Sequence, residues 1–106
     1  MHSLIFCTCP DQSTAEKLAH HLIDESLAAC VNILPGITSV YQWEGKRETG
    51  TELLLLIKTR EEMYAALEKR ITELHPYELP EIISVSIKNG LPGYMDWITQ
   101  NTGNPA

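Results

Sequence analysis

The run Leu53-Leu54-Leu55-Leu56-Ile57 is apolar at every position, between the polar pairs Thr51-Glu52 and Lys58-Thr59. Five such residues have the length of a strand and lack the polar alternation of one that faces water on one side. A strand of this kind needs cover on both faces. The rest of the chain must therefore supply two layers of cover, or supply one and borrow the other.

The remaining periodicities point to what is available. Ser3 to Thr8 reads as a short buried strand ending at Cys9-Pro10. Ser13 and Glu16 have the spacing of a capping box, and Ala15, Leu18, Ala19 and Leu22 recur at helical spacing, which predicts a helix over 13–28. Residues 30–43 read as one long strand with a kink or bulge at Pro35-Gly36. The polar segment 44–50 predicts the turn of a hairpin into the Leu53–Ile57 strand. Thr59 and Glu62 suggest a second capping box, opening a helix with Met63, Tyr64, Leu67, Ile71 and Leu74 on one face. His75-Pro76 ends that helix, because proline disfavours helical geometry in the residue before it. Residues 82–87 form a further strand, Asn89-Gly90 a turn, and Tyr94, Trp97 and Ile98 mark a last short helix before a frayed tail at 101–106.

The order β-α-β-β-α-β plus a terminal helix predicts an α+β, ferredoxin-like sandwich. Right-handed crossovers place both main helices on one face of a four-stranded antiparallel sheet. Two helices leave the other face bare, and another copy of the chain is the simplest cover, so a symmetric homo-oligomer is expected. Ile37, Tyr41 and Trp43 alternate on the neighbouring strand and extend that surface. At 106 residues the whole chain, 1–106, is expected to be a single domain.

Charge and cysteine usage exclude several function classes. The net charge is −6, with no basic patch, so nucleic acid and anionic membrane are not expected partners. No apolar run approaches the roughly 18 residues of a membrane span. The opening MHSLIFC lacks a basic region, a long apolar stretch and a cleavage site, and three cysteines without framework spacing suit a reducing compartment. A cytoplasmic location is expected. No phosphate-binding loop, dinucleotide fingerprint, nucleophile elbow or H-E-x-x-H pair is present, so no catalytic residues are assigned and the chain reads as a non-enzyme without an organic cofactor.

Cys7 and Cys9 stand two apart, so in a strand both sulfurs face one way and suit Cu(I) or Zn. The opposing reading makes Cys7 a small buried hydrophobe and Cys9 a reactive thiol at the solvent edge before a helix. Cys30 reads as core. His20 and His21 each precede an acid by four residues, Asp24 and Glu25, the spacing of surface pairs on a helix. His75 sits in HPYELPE beside two carboxylates, either as a ligand or as a charge partner for the preceding helix end.

Four segments together, CTCPD at 7–11, LAACVNILPGITSVYQWEGK at 27–46, IKT at 57–59 and HPYELPEI at 75–82, resemble the CutA family of divalent-cation tolerance proteins. The resemblance covers nearly the whole chain. It implies a ferredoxin-like subunit assembled as a homotrimer, similar in architecture to the PII signalling proteins, acting in the response to metal ions. It implies weak binding of copper or another divalent metal ion, with Cys7 and His75 as metal ligands; Cys9, a departure from the family pattern, is a further candidate peculiar to this chain. Some members carry a second histidine directly before the one at His75, where this chain has Leu74; Cys9 stands where others often have alanine. The family pattern also contains Trp43, Glu44, Lys46, Glu52, Lys58, Tyr77 and Glu81. These residues read either as an inter-subunit cleft for a small molecule or protein partner, or as inter-subunit ion pairs that set trimer register.

Overall fold

The structure is a computed structural model that describes residues 1–103. Its elements run β1 (His2–Cys9), α1 (Gln12–Asp24), β2 (Cys30–Trp43), β3 (Lys46–Arg60), α2 (Tyr64–Leu74), β4 (Ile82–Ile87) and α3 (Pro92–Gln100). The strands form one sheet in the order β2-β3-β1-β4, antiparallel at every junction. This is the expected ferredoxin-like arrangement. No helix among the described residues is long and apolar enough to cross a membrane.

Pairing register decides which side chains share a face. Ile5 lies opposite Ile57, Cys7 opposite Leu55 and Cys9 opposite Leu53. These positions point at α1 and α2 and are buried together with Leu18, Leu22, Leu67 and Ile71. Leu54 and Leu56 point the other way and are only half-buried, so β3 is not buried on both faces within one chain. Beside them, Leu34, Ile83 and Val85 are 45%, 53% and 46% exposed. α3 covers one end of this second face: His2 Nε2 meets Thr99 Oγ1 at 2.9 Å, and Tyr94 lies beside Cys30. Cys30 is accordingly half-buried at the sheet edge, not core.

The long hairpin carries two predicted features. Leu34 pairs with Leu54 but Ile37 pairs with Glu52, so Pro35-Gly36 forms a bulge, with Gly36 at φ +76°. The turn is much tighter than the polar segment suggested. Trp43 already pairs with Lys46, and the turn is Glu44-Gly45 alone, at φ +50° and +79°. Positive φ at both central residues matches the right-handed twist of the flanking strands. β1 pairs with β3 only from Leu53 onward, so the hairpin beyond Glu52 is a two-stranded arm.

Both capping boxes give way to other contacts. The cap of α1 is Asp11, whose Oδ1 accepts from the Thr14 amide at 2.8 Å; its extended backbone suits the role and Ser13 lies inside the helix. α1 ends at Asp24, short of residue 28, because Ser26 takes φ +58° and the Leu27 amide returns to the Leu22 carbonyl at 2.9 Å. With Ser26 also donating to Ile23, this is a Schellman closure, and Leu27 packs with Leu22 in the core. Thr59 belongs to β3, and its hydroxyl donates to the Leu27 carbonyl at 2.7 Å. A single 3₁₀ turn, Glu61–Met63, leads instead into α2.

His21 meets Glu25 at 3.2 Å, and Arg70 joins the pair from α2; His20 and Asp24 form no such pair. Asn89-Gly90 lies in an irregular connection rather than a defined turn. Of the tail, Asn101–Gly103 is tied down: Arg60 donates to the Thr102 hydroxyl at 2.8 Å and to its carbonyl at 2.9 Å, and Thr102 is buried. The expectation of fraying at 104–106 lies outside the described residues.

Candidate metal centre

Strand parity puts Cys7 and Cys9 on the helix-facing side of β1, and His75, the extended residue that caps the C-terminus of α2, lies against them. The ligand atoms of Cys7, Cys9 and His75 lie within 4.8 Å of one another. All three residues are buried: both cysteines are 0% exposed and His75 is 7% exposed. Cys9 is thus part of the cluster and not a solvent-edge loop residue. The strand runs through it before Pro10 breaks the pairing.

The imidazole is held at both nitrogens. Nε2 donates to the Thr8 carbonyl at 2.8 Å, and Nδ1 accepts from the Tyr77 amide at 3.1 Å. A carbonyl can only accept and an amide N–H can only donate, so this pair of contacts fits the neutral tautomer protonated at Nε2. Either nitrogen must give up one hydrogen bond to take an ion. The outer contacts also orient the ring, as partners of metal-ligating histidines do.

The two thiols are polarised in opposite directions. Its interaction with Cys9, together with burial, holds the Cys7 thiol well above its ordinary value. The same interaction, seen from Cys9, lowers that thiol to about 6, with His75 helping against the cost of burial. For His75, burial opposes the charge, while Cys9 and the Thr8 carbonyl outweigh it and hold the group above its ordinary value. Two thiols and an imidazole suit soft or borderline ions such as copper and zinc; the cluster offers no carboxylate for a hard ion.

The seven predicted cleft residues divide. Trp43, Glu52, Tyr77 and Glu81 line an open cavity of about 670 Å³, with Thr8, Tyr41 and Leu79 among its other walls. The Tyr77 hydroxyl donates to Glu52 at 2.8 Å, and burial with that carboxylate pushes the phenol up. Glu44 and Lys46 lie at the hairpin tip, outside this cavity. Lys58 is elsewhere on the sheet, donating to Asn32 and approaching Cys30 at 3.9 Å. Among the described residues, no ion pair joins members of the seven within one chain.

The sequence reading missed two partners that build the centre, the Thr8 carbonyl and the Tyr77 amide, because backbone groups leave no mark in residue identity. The burial of Cys9 was available from parity: Ile5, Cys7 and Cys9 share one face of an unbroken strand.

Comparison with known proteins places this arrangement. The divalent-cation tolerance protein CutA of Thermus thermophilus is 44% identical over 103 residues, spanning 97% of this chain and 100% of its own length. A CutA homolog of Xenopus laevis is 46% identical over 91% of this chain, which spans 64% of that longer protein. Among solved structures, CutA from Xylella fastidiosa superposes with a TM-score of 0.93 at 48% identity, covering 96% of this chain and 98% of that one. CutA1 from Oryza sativa gives 0.95 at 43% identity, covering 98% and 95%. The sequence pattern of the CutA1 divalent ion tolerance proteins matches residues 3–101, and the chain belongs to that family.

Proposed function

We propose that this protein is a cytoplasmic, homotrimeric metal-response protein, a single domain over 1–106, that binds copper or another divalent metal ion weakly at Cys7 and His75. The observation that carries the reading is the meeting of these two residues, far apart in sequence, in one buried group with Cys9. A bound ion would be held by the Cys7 sulfur and an imidazole nitrogen, at the cost of one of the His75 hydrogen bonds. That exchange supports weak rather than tight binding. The role is non-enzymatic and uses no organic cofactor. The word "tolerance" in the name of the Thermus thermophilus relative supports a metal-linked role.

Self-association is supported by surfaces that one chain leaves uncovered. The sheet face around Leu54, Leu56, Ile83 and Val85 is apolar and open, and the two-stranded arm carries Tyr41 and Trp43 at 48% and 47% exposure. Isolated two-stranded ribbons are marginal in water, so the arm needs a surface to lie on. The stoichiometry of three comes from the family resemblance.

If Cys7 is a ligand, Cys7→Ala binds measurably less copper in calorimetry; unchanged affinity and stoichiometry would remove it from the site. A second reading is favoured by the cavity beside Tyr77: a PII-like signalling or scaffolding trimer that holds a small molecule or partner in inter-subunit clefts. Thermal-shift screening separates the two, because a ligand that binds only the folded state raises its melting temperature by mass action. Stabilisation by nucleotides but not by metals favours the cleft.

A further inference from the structure

We propose that Cys9 is a third ligand, and that Cys7, Cys9 and His75 form a closed, three-coordinate sulfur–sulfur–nitrogen site that takes monovalent copper in preference to divalent ions. This rests on the reading of Cys7 and His75 as ligands and goes beyond it in the donor count and the oxidation state.

Three observations carry the inference. The ligand atoms of all three residues lie within 4.8 Å of one another, so a single ion can touch all of them after small side-chain shifts. Each residue is essentially sealed from water, at 0%, 0% and 7% exposure, so solvent has little access to supply a fourth ligand. No carboxylate belongs to the group; Glu52 and Glu81 line the adjoining open cavity, outside the set of ligand atoms.

Those facts sort the candidate ions. Magnesium, calcium and manganese need several oxygen donors and find none here. Zinc is almost always four-coordinate in closed protein sites, and this site offers three donors. Monovalent copper is soft, prefers sulfur and is satisfied by two or three donors. Charge points the same way. A buried site favours neutrality, and one thiolate cancels Cu(I), whereas a divalent ion requires both sulfurs to be deprotonated.

The backbone also keeps the two thiols available. Cys7 is paired on both sides, with Leu55 and Ile82, and Cys9 with Leu53. Same-face Cα atoms on a strand are separated by about 6.5–7 Å, at the limit of disulfide reach. Joining the sulfurs would require the strand to buckle, and both cysteines are free.

The test is anaerobic titration of the full chain with Cu(I) against a Cu(I)-selective chelator, beside titrations with Cu(II) and Zn(II), followed by X-ray absorption of the Cu(I)-loaded protein. The expected result is one Cu(I) per chain with two sulfurs and one nitrogen around it, bound more tightly than either divalent ion. Loss of an outer partner of a ligand already costs about tenfold in affinity, so Cys9→Ser should weaken Cu(I) binding by roughly tenfold or more. Unchanged Cu(I) affinity in Cys9→Ser, or a first shell with one sulfur, overturns the proposal. If Cys7→Ser and His75→Gln lose the metal while Cys9→Ser keeps it, the two-ligand reading stands and only the third ligand falls. Stronger binding of Cu(II) or Zn(II) than of Cu(I) has the same meaning for oxidation state. A wild-type protein that retains no ion sinks both readings. The absorption measurement uses the wild-type chain, so it decides the donor count even if Cys9→Ser does not fold.

Discussion

The two faces of the sheet are built from similar residues and meet different fates. On the helix-facing side, Ile5, Leu55 and Ile57 are fully buried. On the opposite side, Leu54 and Leu56 are half-buried, while Ile83 and Val85 remain about half exposed. Composition does not distinguish the faces; only the presence of α1 and α2 does. The second face is covered only at one end, by α3, and an exposed apolar patch of this kind is the usual mark of an interaction surface. The first face serves the fold of one chain; the second is the surface through which the proposed oligomer would form.

The sharpest way to break this contrast is to charge the open face. If copies of the chain meet through this face, Ile83→Glu combined with Val85→Glu should leave far-ultraviolet circular dichroism unchanged but yield monomer, where the parent chain is an oligomer, in light scattering at micromolar concentration. Persistence of the oligomer would show that another surface joins the chains. Leu55→Ala comes next. It opens a cavity in the closed core and should cost about 2–5 kcal/mol in denaturant unfolding. Leu54→Ala gives the finer measurement. In an isolated chain its cost should be below about 1 kcal/mol, since the side chain is only half-buried. A cost approaching that of Leu55→Ala would show that the second face is as well packed in the assembly as the first.

The smallest effect is electrostatic and lies outside both faces. Asp11 is held below its ordinary 3.8 by the Thr14 amide it caps; for Glu25 desolvation is the largest single influence and raises it, but His21 and Arg70 together outweigh it and hold the carboxyl below its ordinary value. A carboxylate with a depressed folded-state pKa stabilises the fold above its unfolded pKa and loses that contribution as pH falls through the folded value. Stability should therefore decline slightly below about pH 4. Asp11→Asn should flatten part of that decline in acid unfolding without changing the oligomer.

Much of the fold was legible because burial period and strand register are local. The alternation along β1, the apolar run in β3 and the Pro35-Gly36 bulge all followed from residue order. The caps were less legible because several groups compete for one role. Asp11 and Ser13 both suit an N-cap, and the backbone geometry around Pro10 selects the first. Thr59 has capping chemistry, but its hydroxyl is claimed by the Leu27 carbonyl, 32 residues away in sequence. For the centre, Cys7 and His75 were marked by the family resemblance. The membership of Cys9 required knowing that β1 continues to its last residue, and its meeting with His75 is a product of topology.

The doubly bonded His75 ring has a mechanical consequence. One nitrogen is fastened to β1 through Thr8, and the other to the loop through Tyr77, whose hydroxyl reaches Glu52 at the root of the arm. The ring is therefore a rivet between the interior and the surface on which copies of the chain would meet. An ion that captures either nitrogen competes with the scaffold for the same lone pair or proton. Metal occupancy at this ring would therefore release one of the two fastenings that join β1 to the outer loop.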